Sequence, residues 1–249
     1  MKNRIIIIAS LICLGGRVFG QAPAVASLSA DQVMARVFAQ DTMRESMGGG
    51  YSGRREYVLD NQKWNKRAEM QVSVLCNSDG IKHFEVLSED GWKSANKHVL
   101  HKMLQSESET SQPTTRPMTR MVPQNYEFRL IGSEYLQGRP AYLIEAVPKR
   151  NDKYLFRGRV WVDAEEFAVA RVEGQPAKNP SFWTRSVHFI QQYQKSGPFW
   201  YPALTTSVTE AHIFGTTDVT IRYFAYAPLS NSTHSSASPA PTEVKYVQH

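Results

Sequence analysis

His98 and His101 are three residues apart, the spacing at which two imidazoles could grip a metal ion from one helix face. A site of that kind needs a further ligand in register, such as the glutamate that zinc peptidases place between their histidines. None stands there, and the pair reads as a solvated helix face. His83, His188 and His212 fall on separate strand-like segments, so no metal is expected. Two acidic pairs could do proton-transfer work, Glu165-Glu166 and Glu107 with Glu109, but the first sits in a turn and the second in polar low-complexity sequence. There is no Gly-x-Ser-x-Gly elbow, and Gly48-Gly49-Gly50 is not followed by Lys-Ser or Lys-Thr, so the glycines read as a helix stop rather than a phosphate cradle. Cys76 shares a strand face with Met70, Val72 and Val74 and reads as a buried thiol. The expectation is a protein without catalytic residues or cofactor, and not an enzyme.

Positioning elements are easier to read. Lys2 and Arg4 precede an apolar run from Ile5 to Leu14, followed by small residues and Val18-Phe19-Gly20, the pattern of a secretory signal peptide over residues 1–20. Cleavage is expected after Gly20, with the Ala24-Val25-Ala26 site as the alternative. The run is too short to span a bilayer. Losing Lys2, Arg4 and Arg17 takes the net charge from +6 to +3, which argues against a nucleic-acid partner. Cys76 would then be the sole thiol of a periplasmic protein, with no internal disulfide partner.

The rest reads as one domain, residues 21–227, and a Ser/Pro/Ala-rich flexible tail, residues 228–249. Ser29-Ala30-Asp31-Gln32 is a capping box that opens an amphipathic helix through Met34, Val37 and Phe38, ended by the three glycines. Alternating apolar and polar residues then predict strands over Tyr51–Leu59, Arg67–Cys76 and Ile81–Leu87. A second helix follows, on Ala95, Val99, Leu100, Met103 and Leu104. Residues 105–124 lack periodicity and read as a long loop. Seven more strands are expected over Tyr126–Tyr135, Arg139–Val147, Tyr154–Val162, Phe167–Glu173, Phe182–Tyr193, Phe199–His212 and Thr216–Ala227. The hairpin turning at Asp163-Ala164-Glu165-Glu166 sets Tyr154, Phe156, Val160 and Val162 against Arg157, Arg159 and Trp161 on its two faces.

Ten twisted strands cannot stay flat. The expected fold is α+β, mainly β: a curved antiparallel sheet of about ten strands forming an unclosed half β-barrel, covered by two or three helices. Strand parity puts Val72, Val74, Phe84, Val86, Phe128, Leu130, Val160, Val162, Phe189 and Ile221 on one face, the candidate cavity lining. Either face of the last strands can be the covered one, because Tyr201, Leu204, Phe224 and Tyr226 spread apolar residues over both. Trp183 and Trp200 lie in aromatic stretches that flank one strand pair and read as an aromatic cluster at one end of the sheet, either a plug or a rim. Met118 and Met121 fall in the long loop as candidate lid residues.

This order of elements resembles the LolA superfamily of outer-membrane lipoprotein-sorting proteins, which includes LolB and the stress sensor RseB. The residues that carry the resemblance are Asn125-Tyr126-Glu127-Phe128, Gly138-Arg139-Pro140, Phe156-Arg157-Gly158-Arg159-Val160-Trp161-Val162-Asp163, Arg171-Val172-Glu173-Gly174 and Phe199-Trp200-Tyr201-Pro202. The resemblance implies a helix-lidded cavity for the acyl chains of a lipid or lipoprotein. It also implies a donor protein at the inner membrane or an acceptor at the outer, with transient membrane contact. LolA carriers tie the lid with the arginine of an Arg-Pro motif early in the sheet. Arg54, Arg55 and Arg67 lie in no such motif, and none of them is assigned that role. An RseB-like sensor and a structural envelope module with a filled barrel are the alternative readings.

Overall fold

The structure, a computed structural model, describes residues 28–229. The leader read over residues 1–20 lies outside the described residues, as does the tail read over 228–249 beyond Leu229.

Helix α1, Ala30–Met47, starts where the sequence puts it. Ser29 Oγ accepts from the Gln32 amide and the Gln32 side chain accepts from the Ser29 amide, so two orphan donors are satisfied reciprocally. Three strands follow, β1 Gly50–Asn61, β2 Lys66–Asn77 and β3 Lys82–Gly91. The chain then crosses over through a single turn α2, Lys93–Ala95, a π-helical turn Asn96–Leu100, α3 His101–Ser111 and α4 Arg116–Thr119. Seven strands complete the domain: β4 Tyr126–Leu136, β5 Arg139–Pro148, β6 Phe156–Asp163, β7 Val169–Pro176, β8 Thr184–Ser196, β9 Phe199–Ala211 and β10 Gly215–Pro228.

All ten strands form one antiparallel sheet in the order β3-β2-β1-β10-β9-β8-β7-β6-β5-β4. It is a meander broken once: β10 returns to pair with β1, and β3 and β4 are left as edges. The sheet is therefore unclosed, and the α2–α4 crossover joins its two edges. No helix among the described residues is long and apolar enough to cross a membrane.

The helix-covered face carries two separate cores. In the first, Val33, Met34 and Val37 of α1 pack on Tyr126, Tyr142, Ile144, Val160, Val162 and Val172. In the second, Ala95, Leu100 and Leu104 of the crossover pack on Tyr57, Leu59, Met70, Val72, Val219 and Ile221. Each helix thus buries its apolar stripe against a different half of the sheet, the usual solution for an amphipathic helix.

Two local readings change. The segment 105–124 is not a loop throughout, because α3 runs to Ser111 and α4 follows. Its polar residues conceal a helix because one of them, Glu107, makes its contacts toward the sheet through ions rather than apolar packing. In β10, Ala225 adopts φ 54°, which breaks the alternation so that Phe224 is exposed while Tyr226 stacks on Tyr201. That irregularity explains why the face of the last strands could not be read by parity.

Candidate functional site

Between the two cores lies a cleft of about 580 Å³, within the ~300–1,000 Å³ range of small-molecule sites. Its floor is aromatic. Tyr193, Tyr201 and Tyr223 come from β8, β9 and β10, and Phe199 and Trp200 from the start of β9. Tyr201 stacks on Tyr226 with ring centres 4.3 Å apart, and Tyr51 meets both rings edge-on at 5.3 and 5.4 Å. Burial raises the phenols of Tyr51, Tyr193, Tyr201, Tyr223 and Tyr226 above their ordinary range, so this floor stays uncharged. The Tyr226 hydroxyl is buried without a hydrogen-bond partner.

One wall is α1, held by Arg44. Its Nε donates to the Pro198 carbonyl at 3.1 Å and an Nη to the Glu166 carbonyl at 2.8 Å, tying the end of α1 to the β8–β9 and β6–β7 turns. The opposite wall is α3, held by Glu107. That carboxylate takes two hydrogen bonds from Arg55, at 2.6 and 3.0 Å, and one from Lys82 Nζ at 2.7 Å. Arg55 is 1% exposed, lies between the rings of Phe84 and Tyr223 at 5.2 and 4.9 Å, and donates to the Tyr57 hydroxyl at 3.2 Å. Burial works to raise the Glu107 pKa, but Lys82 and Arg55 outweigh it and hold the group at about 2. Arg116 spans the mouth, donating to the Asp79 carbonyl at 2.9 Å and pairing with Glu45 of α1 at 2.6 Å, where Arg120 joins at 3.1 Å.

The cavity residues named from parity are distributed between the cores. Val160 and Val162 are buried in the first, with Phe128 and Phe189 packed against it, and Val72 and Ile221 are buried in the second, with Phe84 and Val86 packed against it. Val74 is buried as well. Leu130 is an exception to the parity reading: it is 39% exposed on edge strand β4, beside a bulge at Ile131 that interrupts the pairing with β5. None of these ten lines the open cleft. Met118 is exposed on α4, whereas Met121 packs on the first core.

Trp183 and Trp200 are not at one end of the sheet. They precede and open neighbouring antiparallel strands whose register pairs Thr184 with Ala211 and Ser196 with Phe199, so they stand at opposite ends. Trp200 lines the cleft and donates its Nε1 to Glu166 at 3.0 Å. Trp183 is 51% exposed at the far tip.

Other candidate chemistry has structural partners. Glu166 is held by Lys195, Trp200 and Arg139, and His101 pairs with Glu89. Cys76 is buried at the edge of the cleft, and burial pushes its thiol up. Among the described residues no group of three or more His, Cys, Asp or Glu could hold a metal.

Sequence reasoning named both Arg55 and Glu107 and gave neither this role: Arg55 is set aside because it lies in no Arg-Pro motif, and Glu107 reads with Glu109 as an acidic pair in polar low-complexity sequence.

Fold and cleft together define a half-barrel lidded by helices, with an aromatic chamber between them. The chain belongs to the family of unknown function DUF5686, which it matches over residues 94–228. No curated protein matches it. Among solved structures it is similar to a DUF1329 family protein from Desulfovibrio piger, at 12% identity over 82% of this chain and 95% of that one, TM-score 0.43. It is also similar to an outer membrane lipoprotein-sorting protein domain from Vibrio parahaemolyticus, at 12% identity over 80% and 94%, TM-score 0.39. A LolA superfamily protein from Nitrosomonas europaea matches at 9% identity over 80% and 93%, TM-score 0.36.

Proposed function

We propose that this protein is an exported, periplasmic carrier of the lipoprotein-sorting type, whose cleft takes the acyl chains of a lipid or lipoprotein. The observation that carries the reading is the uncharged aromatic floor of an open cleft that lies between two helices, which bury separate cores and are held by ions. An acyl chain enters over Tyr201 and Tyr193. Its deeper end parts α3 from the sheet at the Glu107 ion pairs and comes to lie against Phe84 and Val86, which pack at the rim of the second core. Burying roughly ten methylenes at ~0.8 kcal/mol each supplies about 8 kcal/mol, micromolar affinity before ordering costs. No bond is made or broken. Release needs only a competitor for the chain, in a membrane or in an acceptor protein.

The test is photo-crosslinking with a diazirine-bearing fatty acid, followed by peptide mapping. Adducts on Tyr193, Tyr201 and Tyr223 are expected. Adducts confined to exposed residues such as Phe182, or none at all, contradict the proposal.

A further inference from the structure

The end of the sheet opposite the cleft mouth carries an unusual set of side chains. Three connections meet there: the β1–β2 turn, the β9–β10 turn and the segment 177–183 that leads into β8. They form one continuous row. Trp64 meets Phe214 edge-on at 5.1 Å and Trp92 at 5.5 Å, Lys63 Nζ donates to the Ile213 carbonyl at 2.8 Å, and the His212 amide donates to the Trp183 carbonyl at 3.0 Å. The Asn61 side chain braces the row from below by donating to the Phe214 carbonyl at 2.8 Å.

The row turns its apolar groups outward. Phe182 is 89% exposed, Trp183 51%, Ile213 44%, Phe214 42% and Trp64 39%. Scattered single exposures are ordinary, but a contiguous apolar set at loop tips marks a contact surface. Its composition favours one kind of contact. Tryptophan prefers the headgroup level of a bilayer, and the cations around these tips are free to meet anionic headgroups. Lys63 and Lys66 lie over the rings of Trp64 and Trp92 at 6.0 and 5.4 Å, and Arg185 Nε donates to His212 at 3.1 Å. Lys178 stands in the same segment as Phe182 and Trp183. None of these four pairs with a carboxylate among the described residues, although ion pairs are numerous elsewhere on the molecule. Of the acids at this end, Asp60 pairs with Arg67 and Asp218 accepts from Gln62, while Glu210, opposite Thr216 next to the β9–β10 turn, and Asp90, two residues before Trp92, are exposed, so the cations outnumber the unengaged carboxylates rather than stand alone.

We infer that these tips dock the protein on an anionic phospholipid bilayer, with Trp64, Phe182, Trp183, Ile213 and Phe214 entering the headgroup region and Lys63, Lys66, Lys178 and Arg185 meeting lipid phosphates. The inference does not rest on what occupies the cleft. Strand polarity sets the orientation: Tyr51, Cys76 and Phe199, at the cleft, belong to the other ends of their strands. Docking by the tips therefore turns the cleft mouth away from that bilayer.

The test is co-sedimentation of the purified protein with vesicles containing phosphatidylglycerol, against vesicles of phosphatidylcholine alone. Two variants are compared with the parent, F182S/W183S/F214S and K63Q/K178Q/R185Q, all keeping the same N-terminus and all checked for unchanged melting. Expected are binding of the parent to the anionic vesicles, a loss of roughly tenfold or more in each variant, and failure of the phosphatidylcholine vesicles to retain the protein. Equal binding by parent and variants would overturn the proposal. So would light scattering that shows the triple apolar variant turning a dimer into a monomer while the parent ignores vesicles, since the tips would then be a contact between copies of this chain.

Discussion

Replacing Glu107 with Gln keeps the shape of the α3 side chain and removes the charge that Arg55 and Lys82 share. In the closed protein Arg55 is 1% exposed and would keep a neutral hydrogen bond to the glutamine carbonyl oxygen, the Tyr57 hydroxyl and two ring faces, but no opposite charge. Holding the Glu107 pKa at about 2 instead of 4.5 corresponds to ~3 kcal/mol between its charged and neutral forms, at about 1.4 kcal/mol per unit. Loss of one partner of a buried pair costs ~3–5 kcal/mol, and the partial exposure of Glu107 and Lys82, 31% and 26%, places this case at the lower end. For a domain of this size ~3 kcal/mol lowers Tm by roughly 6–12 °C. A chain that must part α3 from the sheet would also find this work largely done, so affinity for a fluorescent fatty acid should rise, by up to about a hundredfold. Differential scanning fluorimetry and equilibrium titration measure the two effects. A Tm within ~2 °C of the parent would show that the ion pairs do not hold α3. A lowered Tm with unchanged or weaker uptake would show that α3 is not the part that opens.

Acid should act on the same groups. Glu107, Asp163 and Glu166 all have folded-state pKa values below their ordinary ones, because their cation and hydrogen-bond partners outweigh burial, so each contributes stability that is complete above its unfolded value and is lost as pH falls through the folded one. Thermal melting should therefore be insensitive to these groups above about pH 5 and should decline between roughly pH 4.5 and 2; a decline centred near pH 6 would contradict the assignment. Asp163 is 1% exposed and accepts from Arg139 at 2.5 and 3.0 Å and from the amides of Glu165 and Glu166 at 3.1 and 2.8 Å. Asp163→Ala should cost about 2–3 kcal/mol and lower Tm by roughly 4–12 °C, and a neutral result would mean that the β6–β7 turn does not depend on its carboxylate.

Strand positions were legible because each strand of a half-covered sheet alternates, and α1 was legible because Ser29 and Gln32 announce its cap. What parity could not supply is which strands meet out of order. The β1–β10 pairing brings Tyr51 and Arg55 next to Tyr223 and Tyr226, and it is this juxtaposition that builds the cleft. Arg55 and Glu107 are 52 residues apart, one in a strand and one in a stretch whose polarity looks like a loop, so no local pattern links them. The aromatic floor was hidden for a related reason. Tyr193, Tyr201 and Tyr223 are each unremarkable in their own strands, and Ala225 then reverses the alternation just before Tyr226. Parity did find the buried side of the sheet. It could not separate residues consumed by packing under a helix, such as Val160 and Val72, from those left facing the space between the helices.

Native mass spectrometry of the protein purified without detergent from a membrane-bearing host, followed by organic extraction, tests the central claim most directly. The account predicts a stoichiometric lipid adduct that organic solvent removes and that added fatty acid or acylated peptide restores. A clean protein mass that takes up neither ligand would contradict it and leave the cleft without an acyl cargo.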